Sequence, residues 1–185
     1  MLARSGRMLT VDQFLRVHDG VEGRYELVDG VVYAMAGGSV AHATASVNVL
    51  ASLYSQLRGS GCRPFNWDMG LIINDDTLRY PDVAVYCDAR DLDRDRLETR
   101  GFSHPKLVVE VLSPSTMRQD RSEKVTEYKT LASVSAIVLV DPVDRTFELH
   151  ERVAPNEWRH VLLPPGSDLT LRDPAVVLTA AEVFD

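Results

Sequence analysis

The stretch Leu107-Val108-Val109-Glu110-Val111-Leu112-Ser113-Pro114-Ser115-Thr116, with Asp120-x-x-x-Lys124-x-x-x-Tyr128 after it, decides the fold. From Pro105 to Leu112 the chain is apolar on both faces, which predicts a strand buried in the middle of a sheet. Ser113 to Thr116 breaks that strand and caps a helix predicted from about Met117 to Ala132. Ser135 to Asp141 reads as a second buried strand. Strand, helix and strand in this order predict a parallel pair with a right-handed crossover.

Two charges lie inside this apolar pattern. Residues two apart share a strand face, so Glu110 sits with Val108 and Leu112. On the helix, Met117, Arg121, Lys124, Tyr128 and Leu131 follow the spacing of one face. Lys124 is therefore expected to point at the sheet, one turn after Asp120. An Asp120–Lys124 pair at the edge of the stripe satisfies the same spacing, and lysine stems also cover apolar surface. Buried charge is costly unless it is paired, metal-bound or put to chemical use.

Toward the N-terminus, Tyr80-Pro81-Asp82-Val83 opens a strand predicted to reach Tyr86, with Asp82 sharing a face with Ala84 and Tyr86. Met69 to Ile73 should join it as a hairpin through Asn74-Asp75-Asp76-Thr77, and Cys62 to Trp67 reads as a further short strand. Ala41 to Leu57 has the helical stripe Ala45, Val49, Leu53 and Leu57, with His42 at its start. Asp29-Gly30 between two apolar runs is a hairpin turn, and Glu26 lies in its first strand. Thr10 and Gln13 form a capping box before a short helix. Gly37-Gly38-Ser39 lacks the spacing of either common phosphate-binding loop. Asp88 to Arg100 alternates in charge and reads as a solvated helix or loop, the alternative being an arginine-lined phosphate groove. Phe147 to His150 and Trp158 to Leu163 should pair as a meander, before a short tail and a turn at Thr179–Phe184.

The 185 residues suit a single domain, with a core at about 41–141, an N-terminal helix and hairpin at 10–36 and the meander at 145–163. With 45% hydrophobic and 25% charged residues the composition is that of an ordinary globular protein. No apolar run approaches the ~18 residues of a membrane span, and the basic N-terminus lacks the apolar core of a signal peptide. A cytoplasmic protein is expected. Cys62 and Cys87 lie far apart without ligand-spaced partners, so neither a disulfide framework nor a zinc ribbon is expected. The net charge of −7 disfavours field-driven binding to nucleic acid, although a local basic groove can sit on an acidic body. Lysine is scarce: only Lys106, Lys124 and Lys129 stand among 20 Lys and Arg, so an inward lysine invites a chemical role.

Two carboxylates on neighbouring strands, converging at one strand end, make a hard-oxygen site suited to Mg²⁺ or Mn²⁺. These residues, with their order and spacing, resemble the Uma-type restriction endonuclease family, a branch of the PD-(D/E)XK nuclease superfamily. The resemblance rests on Tyr25-Glu26-Leu27-Val28-Asp29-Gly30, His42, Tyr80-Pro81-Asp82-Val83, Glu110 to Thr116, Asp120 to Tyr128, and Val138-Leu139-Val140-Asp141-Pro142. It spans roughly Leu9 to Phe184.

The resemblance implies a mixed α/β, restriction-endonuclease-like α-β-β-β-α-β core, here with an N-terminal hairpin and a C-terminal β-meander. It implies a Mg²⁺- or Mn²⁺-dependent DNA endonuclease with Asp82, Glu110 and Lys124 as catalytic residues. Asp82, Glu110 and the Val111 backbone carbonyl would be the metal ligands, and Glu26, His42, Asp120 and Tyr128 accessory members. The superfamily's usual lysine, two positions after the acidic residue, is replaced by Leu112. Lys124 matches the helix lysine that substitutes for it in this branch. Charge stabilisation is its expected role, because two adjacent carboxylates oppose its deprotonation. DNA is the implied partner and a homodimer, with the meander as a candidate interface, suits a duplex cutter. A non-catalytic nuclease-fold module that binds nucleic acid or protein is the competing reading. A zinc hydrolase is a poor one, because the five histidines show no ligand spacing.

Overall fold

A computed structural model describes residues 8–18, 21–35, 37–93, 99–113 and 117–185. Helix α1 (Val11–Val17) starts at the capping box, where Gln13 N–H donates to the Thr10 hydroxyl and the Gln13 side chain accepts from Thr10 N–H. The hairpin β1 (Tyr25–Val28) and β2 (Val31–Ala34) turns at Asp29 and Gly30, both with positive φ. Gly30 is required there twice over: a Cβ would also meet Met8 Cβ at 2.7 Å. Helix α2 (Val40–Leu57) follows, capped by Ser39, with Ala45, Val49, Leu53 and Leu57 buried as their spacing predicts.

Next come β3 (Arg63–Asn66), β4 (Gly70–Asn74), β5 (Thr77–Arg79), β6 (Val83–Tyr86), the short helix α3 (Ala89–Leu92), β7 (Gly101–Phe102) and β8 (Pro105–Val111). The site helix begins at Met117–Gln119, widens into a π-helical turn over Asp120–Lys124 and regains α geometry over Val125–Thr130. Strands β9 (Ala136–Asp141), β10 (Thr146–Ala154), β11 (Glu157–Leu162), β12 (Leu169–Arg172) and β13 (Ala175–Leu178) lead to a last helix, Ala180–Phe184.

The strands form a six-stranded sheet in the order β11-β10-β9-β8-β6-β3 and a five-stranded sheet in the order β2-β1-β5-β4-β7, with β12-β13 apart. Strands β8 and β9 are parallel with the site helix between them, as the strand–helix–strand pattern predicts. One face of β8 (Leu107, Val109, Val111) joins a core with the α2 stripe and the C-terminal Leu169, Leu178 and Val183. The other face carries Val108 and Leu112 against Val125 and Tyr128 of the site helix.

Four expectations are corrected. The strand expected from Tyr80 to Tyr86 is cut in two. Thr77–Arg79 returns from β4 in the five-stranded sheet, and only Val83–Tyr86 pairs with β8. Pro81 has no N–H for a ladder, so the chain crosses between sheets there. Cys62 and Cys87 form a disulfide, because the β3–β6 register pairs Arg63 with Tyr86 and sets their neighbours opposite each other. The tail contains the β12–β13 hairpin. The site helix stops at Thr130, where Arg152 donates to the carbonyls of Lys129, Leu131 and Val134. In the charge run, Asp91 is buried and accepts from Ser103 and His104 N–H. Residues 94–98 of that run and the Pro114-Ser115-Thr116 part of the predicted cap lie outside the described residues.

Candidate active site

The site lies where β8 ends and the antiparallel β6 begins. Glu110, second to last in β8, points from the face of Val108 and Leu112 toward the site helix and is only 3% exposed. Asp82 sits just before β6, where the ladder has not yet started, and its Oδ2 accepts the Val111 N–H at 2.7 Å. The two carboxylates are thus fixed to adjacent strands, as the sequence predicts. His42, in the first turn of α2, brings its Nε2 to 3.2 Å from the same Asp82 oxygen.

The π turn determines what the helix contributes. Val125 N–H bonds back to the Asp120 carbonyl across five residues, which adds a residue to the turn and rotates the positions before it against those after it. Asp120 and Lys124 are therefore both buried, with Lys124 Nζ 3.1 Å from Asp120 Oδ1. Arg121, placed inward by ideal helical spacing, instead lies outward with its side chain 38% exposed. It reaches Glu148 at 3.0 Å. Tyr128, one turn on, donates its hydroxyl to Glu110 Oε1 at 2.5 Å.

Lys124 is 7% exposed and centred among carboxylates. Its Nζ donates to Glu110 Oε1 at 3.2 Å and lies 3.9 Å from Glu26 Oε1. Glu26 is buried because β1 is flanked by β2 and β5 and is not an edge strand. Its Oε2 accepts from Arg79 Nη1 at 2.9 Å, and its Oε1 from the Tyr80 N–H at 3.2 Å. Arg79 is fully buried and also makes a two-bond fork to Glu127, at 2.7 and 2.6 Å. Neither Arg79 nor Glu127 stands out in the sequence by spacing. The available signal is an arginine inside the apolar run Thr77 to Tyr80.

Burial and neighbours set the protonation of these groups. Burial pushes the Glu110 carboxyl up to about 8; Lys124 pulls it down, while Asp82 and Asp120 push it further up. Burial alone would lower Lys124, but Glu110, Glu26 and Asp120 outweigh it and raise the ammonium above its ordinary value. Burial, then the Glu110 charge, raises the Tyr128 hydroxyl. The hydrogen bond to Asp82 raises His42. Lys124 is thus a fixed cation and a poor base, and Glu110 is a carboxyl in need of a counter-charge.

The donor set fits a hard dication. Among the described residues, hydrogen bonds engage Asp82 Oδ2 and Glu110 Oε1 and leave the second oxygen of each carboxylate open. Two carboxylate oxygens on adjacent strands, beside a carboxyl whose charge burial disfavours, suit Mg²⁺ or Mn²⁺. At Val111 the contact to Asp82 comes from the N–H.

The family model described as "Putative restriction endonuclease" (Uma2) matches residues 11–181. An uncharacterized protein of Synechocystis sp. is 33% identical over 151 residues, covering 81% of this chain and 77% of that protein. A second uncharacterized Synechocystis protein is 24% identical over 160 residues, covering 85% and 89%. The crystal structure of a putative nuclease belonging to DUF820 from Anabaena variabilis superposes with a TM-score of 0.74 at 16% identity. That match covers 95% of this chain and 97% of the other. At this identity the likeness carries the fold alone, a mixed α/β, restriction-endonuclease-like one. No helix among the described residues is long and apolar enough to cross a membrane.

Proposed function

The chain belongs to the Uma2 family of nucleases, described as putative restriction endonucleases, and from that premise we propose that it is a Mg²⁺- or Mn²⁺-dependent DNA endonuclease. The observation that carries the reading is the convergence of Glu110, Asp120 and Glu26 around one buried lysine, with Asp82 tied to the strand that carries Glu110. Ordinary packing has no need of so many buried charges, each of which costs stability unless compensated.

Asp82, Glu110 and the Val111 carbonyl would hold the cation. When bound, the cation supplies polarisation of the phosphodiester and a bound water of lowered pKa. The remaining roles belong to the chain. Lys124, kept protonated by its three carboxylates, offsets charge that develops on the phosphate oxygens. Tyr128 fixes the Glu110 carboxylate through Oε1 and leaves Oε2 to face the ligand. Glu26, itself held by Arg79, sets the position of the lysine head. His42 orients Asp82 through Oδ2. A symmetric dimer, with one site for each strand of a duplex, belongs to the same proposal, and sedimentation velocity at several concentrations tests it.

The direct test is nicking of supercoiled plasmid by purified protein with Mg²⁺ or Mn²⁺. Asp82→Ala and Glu110→Ala proteins should leave the plasmid intact; cleavage persisting in both contradicts the assignment. The acidic body of net charge −7 and Leu112 at the superfamily's lysine position favour a second reading, a binding module without catalysis. Calorimetry showing no Mg²⁺ binding supports that reading.

A further inference from the structure

The five histidines have no ligand spacing along the chain, yet the fold brings two of them together. His150 on β10 and His160 on β11 are direct cross-strand partners. Their rings stack at 4.4 Å between centroids and 6° between planes. Glu148, two residues before His150, shares its face of the sheet. His160 Nε2 lies 2.9 Å from Glu148 Oε1, and His150 Nε2 lies 3.4 Å from the same oxygen.

Two imidazole edges therefore aim at one carboxylate oxygen. His150 is 7% exposed, and its Nε2 makes no well-aligned hydrogen bond although it is buried. Glu148 Oε2 is taken by Arg121 at 3.0 Å, so that arm of the carboxylate cannot relieve it. A buried ring nitrogen pointing at a shared focus without a satisfactory partner calls for a further ligand.

We propose that Glu148, His150 and His160 bind a borderline transition-metal dication such as Zn²⁺, cross-linking β10 to β11. One ligand atom from each residue falls within 4.8 Å of the other two. Zinc bonds of about 2.0–2.1 Å in tetrahedral geometry place ligand atoms roughly 3.3–3.5 Å apart, so the two stacked rings must tilt out of parallel and draw together to close the site. Two imidazoles and one carboxylate suit zinc in donor type and leave one position for water. Arg121 acts behind the ligands, holding the carboxylate through its other oxygen.

Lys129 is the group that must yield. Its Nζ lies 3.3 Å from His150 Nδ1, and a lysine donating there selects the tautomer with the proton on Nε2. Metal binding at Nε2 needs that proton on Nδ1, so the ammonium has to turn aside. The face of Trp158, 5.5 Å from Nζ, offers it a place.

The test is equilibrium dialysis against Zn²⁺ alone, with thermal unfolding and the visible spectrum of the Co²⁺-loaded protein as separate readouts. Wild-type protein should bind Zn²⁺ at this site, unfold at a higher temperature when loaded, and give the intense visible bands of four-coordinate Co²⁺. His160→Ala changes a half-exposed ring and should fold, yet lose one bound equivalent, the thermal shift and the bands. Glu148→Gln should weaken binding at least tenfold. Asp82→Asn should keep all three signals, separating this site from the proposed catalytic one. Zinc stoichiometry and thermal shift unchanged in His160→Ala would overturn the proposal, as would their loss in Asp82→Asn alone.

Discussion

Magnesium binding should expel a proton from Glu110. In the cation-free protein burial raises this carboxyl to about 8, with Lys124 opposing and the Asp82 and Asp120 charges adding. A group titrating near 8 carries about 0.9 proton at about pH 7, and the ion needs the carboxylate. Each cation bound near neutral pH should therefore release close to one proton, and near pH 9 only about a tenth of one. The apparent affinity should rise by more than tenfold between pH 6 and pH 8, then level off. Stability follows the same linkage. A group raised in the folded state stabilises the fold below its unfolded value, and that contribution is lost as pH climbs through the folded one. The cation-free protein should thus weaken progressively as pH climbs from the ordinary carboxylate range toward about 8 and level off above it, and saturating Mg²⁺ should remove that slope. Calorimetric titration in two buffers of different ionisation enthalpy counts the protons, with Glu110→Gln as control. An enthalpy independent of buffer, together with an affinity flat from pH 6 to pH 8, would show that Glu110 is already ionised before the cation binds.

Three further outcomes concern the frame around the site. Arg79→Met leaves Glu26 and Glu127 buried or half-buried without their cation and should cost about 3–5 kcal/mol in urea unfolding; a loss below about 1 kcal/mol would show that the fork does not hold the sheet to the helix. Glu148 is held down to about 2 by the neighbouring His150 ring and by hydrogen bonds with Arg121 and His160, so its contribution is present above the ordinary carboxylate value and fades as pH falls toward 2. Discounted for solvent screening, that contribution is on the order of 1 kcal/mol, and the stability gap between wild type and Glu148→Gln should close in acid. Thr10→Ala removes the capping hydroxyl of α1 and should cost about 1 kcal/mol, read from the thermal midpoint.

What the sequence reveals of this fold follows from the range of the forces involved. Strands β8 and β9 and helix α2 are legible because burial imposes a local period on Leu107, Val109 and Val111 and on Ala45, Val49 and Leu53. The adjacency of Asp82 and Glu110 is expected from the sequence because each borders or lies in an apolar run of strand pattern, and the β6–β8 pairing brings them together. The π turn is not: it slips one residue against ideal helical spacing and exchanges Arg121 for Asp120 on the inner face. Glu26 is buried by β5, which arrives some fifty residues later, and Arg79 and Glu127 find each other only once sheet and helix are assembled. The Cys62–Cys87 link and the His150–His160 pair are products of strand register, which no spacing rule along the chain reports.

In the proposed mechanism Lys124, on the helix, does the work of the lysine that Leu112 replaces. Single-turnover cleavage of plasmid DNA by wild type and Lys124→Met, at saturating Mg²⁺ and matched folded fraction, tests it most directly. The rate should fall by about 10²–10³-fold, the scale of removing one charge-stabilising group, with Mg²⁺ affinity undiminished because a competing cation is gone. A Lys124→Met protein that cuts at the wild-type rate would contradict it.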